Sequence, residues 1–307
     1  MKASTIFFKT IKFTWLKLAL GLATLLVSVL LFAILTGIAM LFRSEEGLGF
    51  GVIIWFILSI AAYYIINLYF GYLVKAGHVA IIATAVTTNQ IPDQQFEVAK
   101  EIVKKRFATS NAYFVIDRLV TGSVSQLQRG LQKIDNLLGN IPGISFIINI
   151  MQLFVSIALN YVDECCLGYT FIKTDINPYK AAADGVVIYF QNWKKLLKSA
   201  ALTSLIVIVA TIAAWVIPFF VFGAIFTLLG WSKWIAAILA FMFALAIKSA
   251  FIDSYIMISM MVSYMEVAPT TEITFDLYGK LSKLSRKFRD LLNKGATDEN
   301  PIEAIPQ

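Results

Sequence analysis

The chain has 307 residues, of which 59% are apolar and only 15% charged, and its mean hydropathy is +0.76. Soluble domains carry about a quarter charged residues, so this composition excludes a secreted enzyme, a nucleic-acid factor and a redox scaffold, and points to an integral membrane protein. The net charge of +7 needs no nucleic-acid partner, because basic residues hold membrane proteins in orientation on the cytoplasmic side.

The first uncharged run, 18–42, is long enough for a hydrocarbon core of about 30 Å at about 1.5 Å per residue. Lys2, Lys9, Lys12 and Lys17 precede it, so it reads as an uncleaved span with a cytoplasmic N-terminus. The short acidic linker 43–46 suits the outside. A second span follows at 48–74, and Lys75 closes it on the inside. Residues 75–110 read as cytoplasmic, with a turn at Asn89–Asp93 and a helix over 93–107 that ends in Lys104, Lys105 and Arg106.

Between 111 and 138, Tyr113, Ile116, Val120, Val124, Leu127, Leu131, Ile134 and Leu138 recur every three or four residues, an apolar helical stripe. Thr121, Ser123, Ser125, Gln126 and Gln128 are placed on the opposite face. Counting crossings between cytoplasmic segments favours a polar span at 112–135, joined by the turn 139–143 to a span at 144–162. The open alternative is a re-entrant segment at 136–162. Asn177-Pro178 starts a helix through about 192, with Asp175 or Asn177 as its cap. Spans at 199–229, kinked at Pro218, and at 234–263 complete the expected fold. That fold is all-α and polytopic, with about six transmembrane helices in three hairpins filling residues 1–266 and both termini cytoplasmic.

The tail 267–307 contains Leu277, Leu281, Leu284, Phe288 and Leu291 flanked by Lys280, Lys283, Arg286, Lys287 and Arg289. It reads as a basic amphipathic helix suited to anionic lipids at the cytoplasmic leaflet, with docking on a partner or on 93–107 as the alternative.

Charge inside a span marks a functional candidate. Lys248 and Asp253 lie within the last span, about 140° apart on an ideal helix, so no local pairing is expected. Each then needs a partner on another helix or a water-filled cavity. The candidate substrate pathway consists of Asp253 and Lys248, Ser125 and Gln128 from the polar helix, and the aromatic residues Trp215 and Tyr64, whose faces can hold a quaternary ammonium. Buried packing is the competing reading of each. Cys165 and Cys166 are adjacent and read as ordinary thiols near a membrane surface. The single histidine, His78, reads as a polar surface residue. No metal or other cofactor is expected, and no P-loop, G-x-G-x-x-G, H-E-x-x-H or G-x-S-x-G motif is present, so no catalytic centre is expected.

From Gly71 onward the order of features resembles the C-terminal half of choline-transporter-like proteins. The matching elements are Val74-Lys-Ala-Gly-His-Val-Ala-Ile, the hairpin 113–162 running into Tyr161-Val-Asp-Glu-Cys-Cys-Leu-Gly-Tyr, Ala181-Ala-Ala-Asp-Gly-Val-Val, and Gln191-Asn-Trp-Lys-Lys before the kinked span. The resemblance implies passage of choline-like amines across the plasma membrane and assigns no binding residue. The functional expectation is therefore a multi-pass transporter of a small solute such as an organic cation, working by alternating access in the cell membrane. The alternative is a non-transporting membrane scaffold or assembly subunit, with a homo-oligomer as a further partner to both.

Overall fold

The computed structural model describes residues 1–41, 45–107, 110–138, 154–230, 233–273 and 275–297. Among these residues the chain is all-α, as expected, and no strand occurs. The helices are α1 (Ala3–Lys9), α2 (Ile11–Leu41), α3 (Glu45–Ile66), α4 (Tyr72–Thr88), α5 (Gln95–Phe107), α6 (Ser110–Leu138), α7 (154–160), α8 (Val162–Ile172), α9 (Pro178–Gln191), α10 (Trp193–Leu228), α11 (Lys233–Ile247), α12 (Asp253–Met265), α13 (Phe275–Leu284) and α14 (Arg286–Thr297). Two π-helical turns, Asn67–Gly71 and Lys248–Ile252, join α3 to α4 and α11 to α12 without a break.

Three helical stretches among the described residues are long and apolar enough to cross a bilayer: Ile11–Leu41, Ile206–Leu228 and Trp234–Thr270. They coincide with the expected spans 18–42, 199–229 and 234–263. Phe50–Ile66 and Tyr72–Thr88 are shorter apolar helices, and the first π-helical turn runs between them inside the stretch expected as a span at 48–74. The helix expected at 112–135 forms as α6, but it falls short of the apolarity of a crossing helix. Most of the expected span at 144–162 lies outside the described residues.

The chain forms two compact units, one of Met1–Thr10, Ala76–Ile206 and Tyr255–Gln307, the other of Ile11–Lys75 and Val207–Ser254. In the first, α8 packs on α9, α14 on both α9 and α6, and α6 on α8. This packing covers the first part of the α6 apolar stripe, where Tyr113, Ile116, Val120 and Val124 are all buried; the side chains of Leu127, Leu131, Ile134 and Leu138 lie outside the described residues. Ser123, expected on the polar face, is buried as well, and its hydroxyl donates to the Leu119 carbonyl at 2.6 Å. The C-terminal stripe follows the same logic. Leu281, Phe288 and Leu291 are buried in this unit rather than presented to lipid, with α14 lying on α6 and α9.

Close approach between these helices depends on glycine at two positions. A Cβ on Gly185 would lie 3.1 Å from the Cα of Cys166, and one on Gly295 would lie 2.9 Å from the backbone nitrogen of Lys180. The expected start of α9 is observed, with Pro178 in its first turn and the Asn177 side chain accepting from the Tyr179 N–H at 2.8 Å. His78 is not the surface residue its polarity suggested. It is fully buried, 3.0 Å from the Thr10 hydroxyl, which itself donates to the Ile6 carbonyl. A hydroxyl has one proton to give, so His78 Nε2 is the donor to Thr10.

In the second unit, α2 packs along α3, against α11, and against the second π-helical turn. A polar contact pins the α2–α3 hairpin: the Ser28 and Ser59 hydroxyls are 2.8 Å apart, and Trp55 Nε1 donates to the Ser28 carbonyl at 2.8 Å. These bonds satisfy polar groups that would be costly in lipid.

Candidate functional site

The charged pair in the last apolar stretch is built by its backbone. Lys248–Ile252 is a π-helical turn, and the Asp253 N–H donates to the Lys248 carbonyl, five residues back. In such a turn residue i+5 stands above residue i, whereas an α-helix carries it well past. Lys248 Nζ therefore reaches Asp253 Oδ1 at 2.7 Å. This corrects the expectation that the two residues do not pair locally, because 100° per residue is the wrong rotation for this turn. On the facing helix α2, Lys17 Nζ donates to the Ser254 hydroxyl at 2.9 Å. Two ammonium groups, a carboxylate and a buried hydroxyl thus gather around residues 253–254. The arrangement can exchange the tethered Lys248 ammonium for another cation at Asp253.

The other pathway candidates do not join this group. The Trp215 ring packs on Phe241 with centroids 4.9 Å apart, and Tyr64 is exposed beside Tyr63 with centroids 5.9 Å apart. Ser125 belongs to the other unit, where its hydroxyl donates to the Thr121 carbonyl at 2.9 Å. The side chain of Gln128 lies outside the described residues.

The first unit has a second polar cluster, centred on α8 and α9. Asp184, nearly buried, accepts from the Tyr278 hydroxyl and lies 3.5 Å from Lys180 Nζ, so α13 is tied to α9. The Lys180 ammonium also sits 5.9 Å over the Tyr278 ring. Burial, then the bond to Asp184, pushes the Tyr278 phenol up and keeps it a donor. Asp163 accepts from the Thr121 hydroxyl at 3.2 Å, linking α8 to α6. Cys165 and Cys166 are free and fully buried, not surface thiols. Burial pushes both thiols well up, and the nearby Glu164 and Asp163 carboxylates add to the shift. Neither sulfur is a nucleophile in this state, since the thiolate is the reactive form.

Arg106, read from sequence as one of a basic run, has a specific role. Its guanidinium donates to the carbonyls of Thr170, Lys173 and Ile176 at 2.6, 2.7 and 2.9 Å. It thereby satisfies two carbonyls left open at the end of α8, those of Thr170 and Lys173, and ties them to Ile176 in the loop that leads to α9. Burial lowers its pKa to about 10, with Asp175 opposing the shift. A run of Lys104, Lys105 and Arg106 carried no signal to separate the third residue from the first two, beyond the planar five-donor fork of arginine. No group of three or more His, Cys, Asp or Glu that could hold a metal ion occurs among the described residues. Compared with known proteins, the chain matches no family model, no curated protein and no solved structure.

Proposed function

We propose that the protein is a membrane-anchored helical scaffold, whose apolar helices hold a folded helical platform at the water-facing side of a bilayer. The observation that carries this reading is the place of α6. The described part of its apolar stripe, Tyr113 to Val124, is covered by protein, and Gln126 on its polar side accepts from the Ser285 hydroxyl at 2.8 Å and from the Lys287 N–H at 3.2 Å. A helix lining a solute pathway keeps its polar groups open to a cavity; here a described part of that face is spent on holding α14.

In this reading 11–41, 45–75, 206–228 and 233–254 cross the bilayer, four passes rather than six. Both termini stay on the side of the basic residues at 2–17, 100–106 and 280–294. The rise from the exposed Trp234 to Tyr255 is about 31 Å, which matches the hydrocarbon thickness with an aromatic residue at each boundary. Single-cysteine variants at residues 105, 118 and 141, reconstituted in liposomes, test the reading together with tracer uptake. All three positions should react from the same side, and choline or tetramethylammonium should not enter faster than in protein-free liposomes. Opposite-side labelling at 141 would restore a crossing at 112–135, and saturable uptake would replace the scaffold by a transporter.

That second reading, passage of an organic cation, is favoured by the Lys248–Asp253 pair in an otherwise apolar helix and by the resemblance to choline-transporter-like proteins, which would place it in the plasma membrane. It requires Asp253→Asn to abolish cation uptake while recovery of folded protein stays near that of the parent. Full uptake per folded molecule in that variant would eliminate Asp253 as the cation site.

A further inference from the structure

The C-terminal apolar stripe does not survive intact. Leu281, Phe288 and Leu291 are buried, but Leu284 is 66% exposed. The cause is a change of helical phase. α13 ends at Leu284, and the buried Ser285 starts α14 as its cap, accepting from the Phe288 N–H at 3.1 Å while donating to Gln126. The corner is therefore held by hydrogen bonds on both sides of Ser285, and the leucine at its tip is turned away from the core.

The residues around this tip are basic. Lys283, Arg286 and Arg289 are exposed. The stem of Lys287 lies against Gly122, with its Cγ 3.2 Å from where a Cβ would stand. Lys280 is matched by Asp276 at 2.6 Å, and Asp290 is the one acid among residues 283–291. An exposed leucine on a fixed corner ringed by Lys and Arg is the composition of an interfacial lipid contact, in which the apolar tip enters the acyl boundary and the cations meet phosphate.

We infer that the α13–α14 corner, Leu284 with Lys283, Arg286 and Arg289, is a contact for an anionic phospholipid surface. An acidic protein is the competing occupant, and the soluble polyanion in the test below separates the two. A chain with helices of membrane-crossing length also carries a bilayer with it at high effective concentration. The inference stands apart from the choice between scaffold and transporter, and it differs from a lipid-bound amphipathic helix because the long apolar face of α14 stays inside the protein.

The test uses the full chain in lipid nanodiscs, mixed with vesicles of the same lipid, with Leu284→Cys carrying an environment-sensitive fluorophore. Cys165 and Cys166 are fully buried and should stay unlabelled. In phosphatidylcholine with roughly one-third phosphatidylserine the emission should shift to the blue and resist iodide. In phosphatidylcholine alone neither change should occur, and about 0.5 M salt should reverse both. Adding Lys283→Gln, Arg286→Gln and Arg289→Gln should remove most of the shift without altering the elution of the folded protein. Equal emission in both lipids, or a shift produced by soluble polyglutamate and not by the anionic bilayer, would overturn the inference.

Discussion

Arg106, Gly295 and the two cysteines each settle a local arrangement through a single residue. At Gly295 the obstacle to a larger residue is the backbone of Lys180, which cannot swing away, so Gly295→Ala should cost about 1–3 kcal/mol. Gly279, on α13, has nothing within 4 Å of its missing Cβ. Gly279→Ala should be neutral or stabilise by up to about 1 kcal/mol through helix propensity. Thermal unfolding of the two variants in the same detergent checks both signs. The thiols make a pH prediction. Their folded pKa values are raised, so the stability they contribute is fully present below the unfolded value of about 8.5 and is lost as pH rises beyond it. Across that rise the unfolded state sheds protons that the folded state keeps. Stability should fall by up to about 1.4 kcal/mol per pH unit for each thiol. Replacing Cys166 by Ala should remove its share of the slope, read from denaturation midpoints between neutral and alkaline pH.

At the scale of helices, the π-helical turn at Lys248–Ile252 and its ion pair explain one another. The wider turn brings Lys248 over Asp253, and the pair in turn favours the wider turn. Lys248→Met strands the carboxylate and should destabilise by about 1–3 kcal/mol, below the cost of breaking a fully buried pair because both groups are partly exposed. Joining it to Asp253→Leu should restore most of the loss, and thermal unfolding of the single and double variants measures the difference. This element also marks where sequence reasoning stops. The runs 18–42 and 199–229 are legible because an uncharged stretch of that length has few other uses, and 234–263 because Lys248 and Asp253 alone interrupt its apolar run. The extra residue of a π-turn changes no hydropathy, so the pairing of Lys248 with Asp253 leaves no trace in composition. The stripe from Tyr113 to Val124 was legible as a buried helical face. Its period does not distinguish lipid from protein as the covering, and α8, α9 and α14 supply the answer from distant sequence. In the tail, Leu281, Phe288 and Leu291 share an apolar face as their spacing suggests, but α6 and α9 cover it where lipid, a partner or 93–107 was expected, and Leu284 leaves that face at the cap Ser285.

For the molecule as a whole, the governing fact is that the first unit is assembled from three separated stretches, Met1–Thr10, Ala76–Ile206 and Tyr255–Gln307. The covering of α6 and α9 by α14 depends on the last of them. A chain stopped after residue 273 should therefore lose the monodisperse elution of the full protein and aggregate, since Tyr113, Val120 and their neighbours would no longer be covered as they are. Size-exclusion profiles of the two chains, purified in parallel, test this. The interleaving also dictates an order of events during synthesis. The platform can be completed only after α13 and α14 have left the ribosome, so α6, α8 and α9 wait with part of their apolar surface uncovered while the later apolar helices are still being made. Such a nascent chain is a natural client for chaperones until α14 emerges, and a stop codon between the coding stretches for α12 and α13 would be nearly as damaging as a much earlier one.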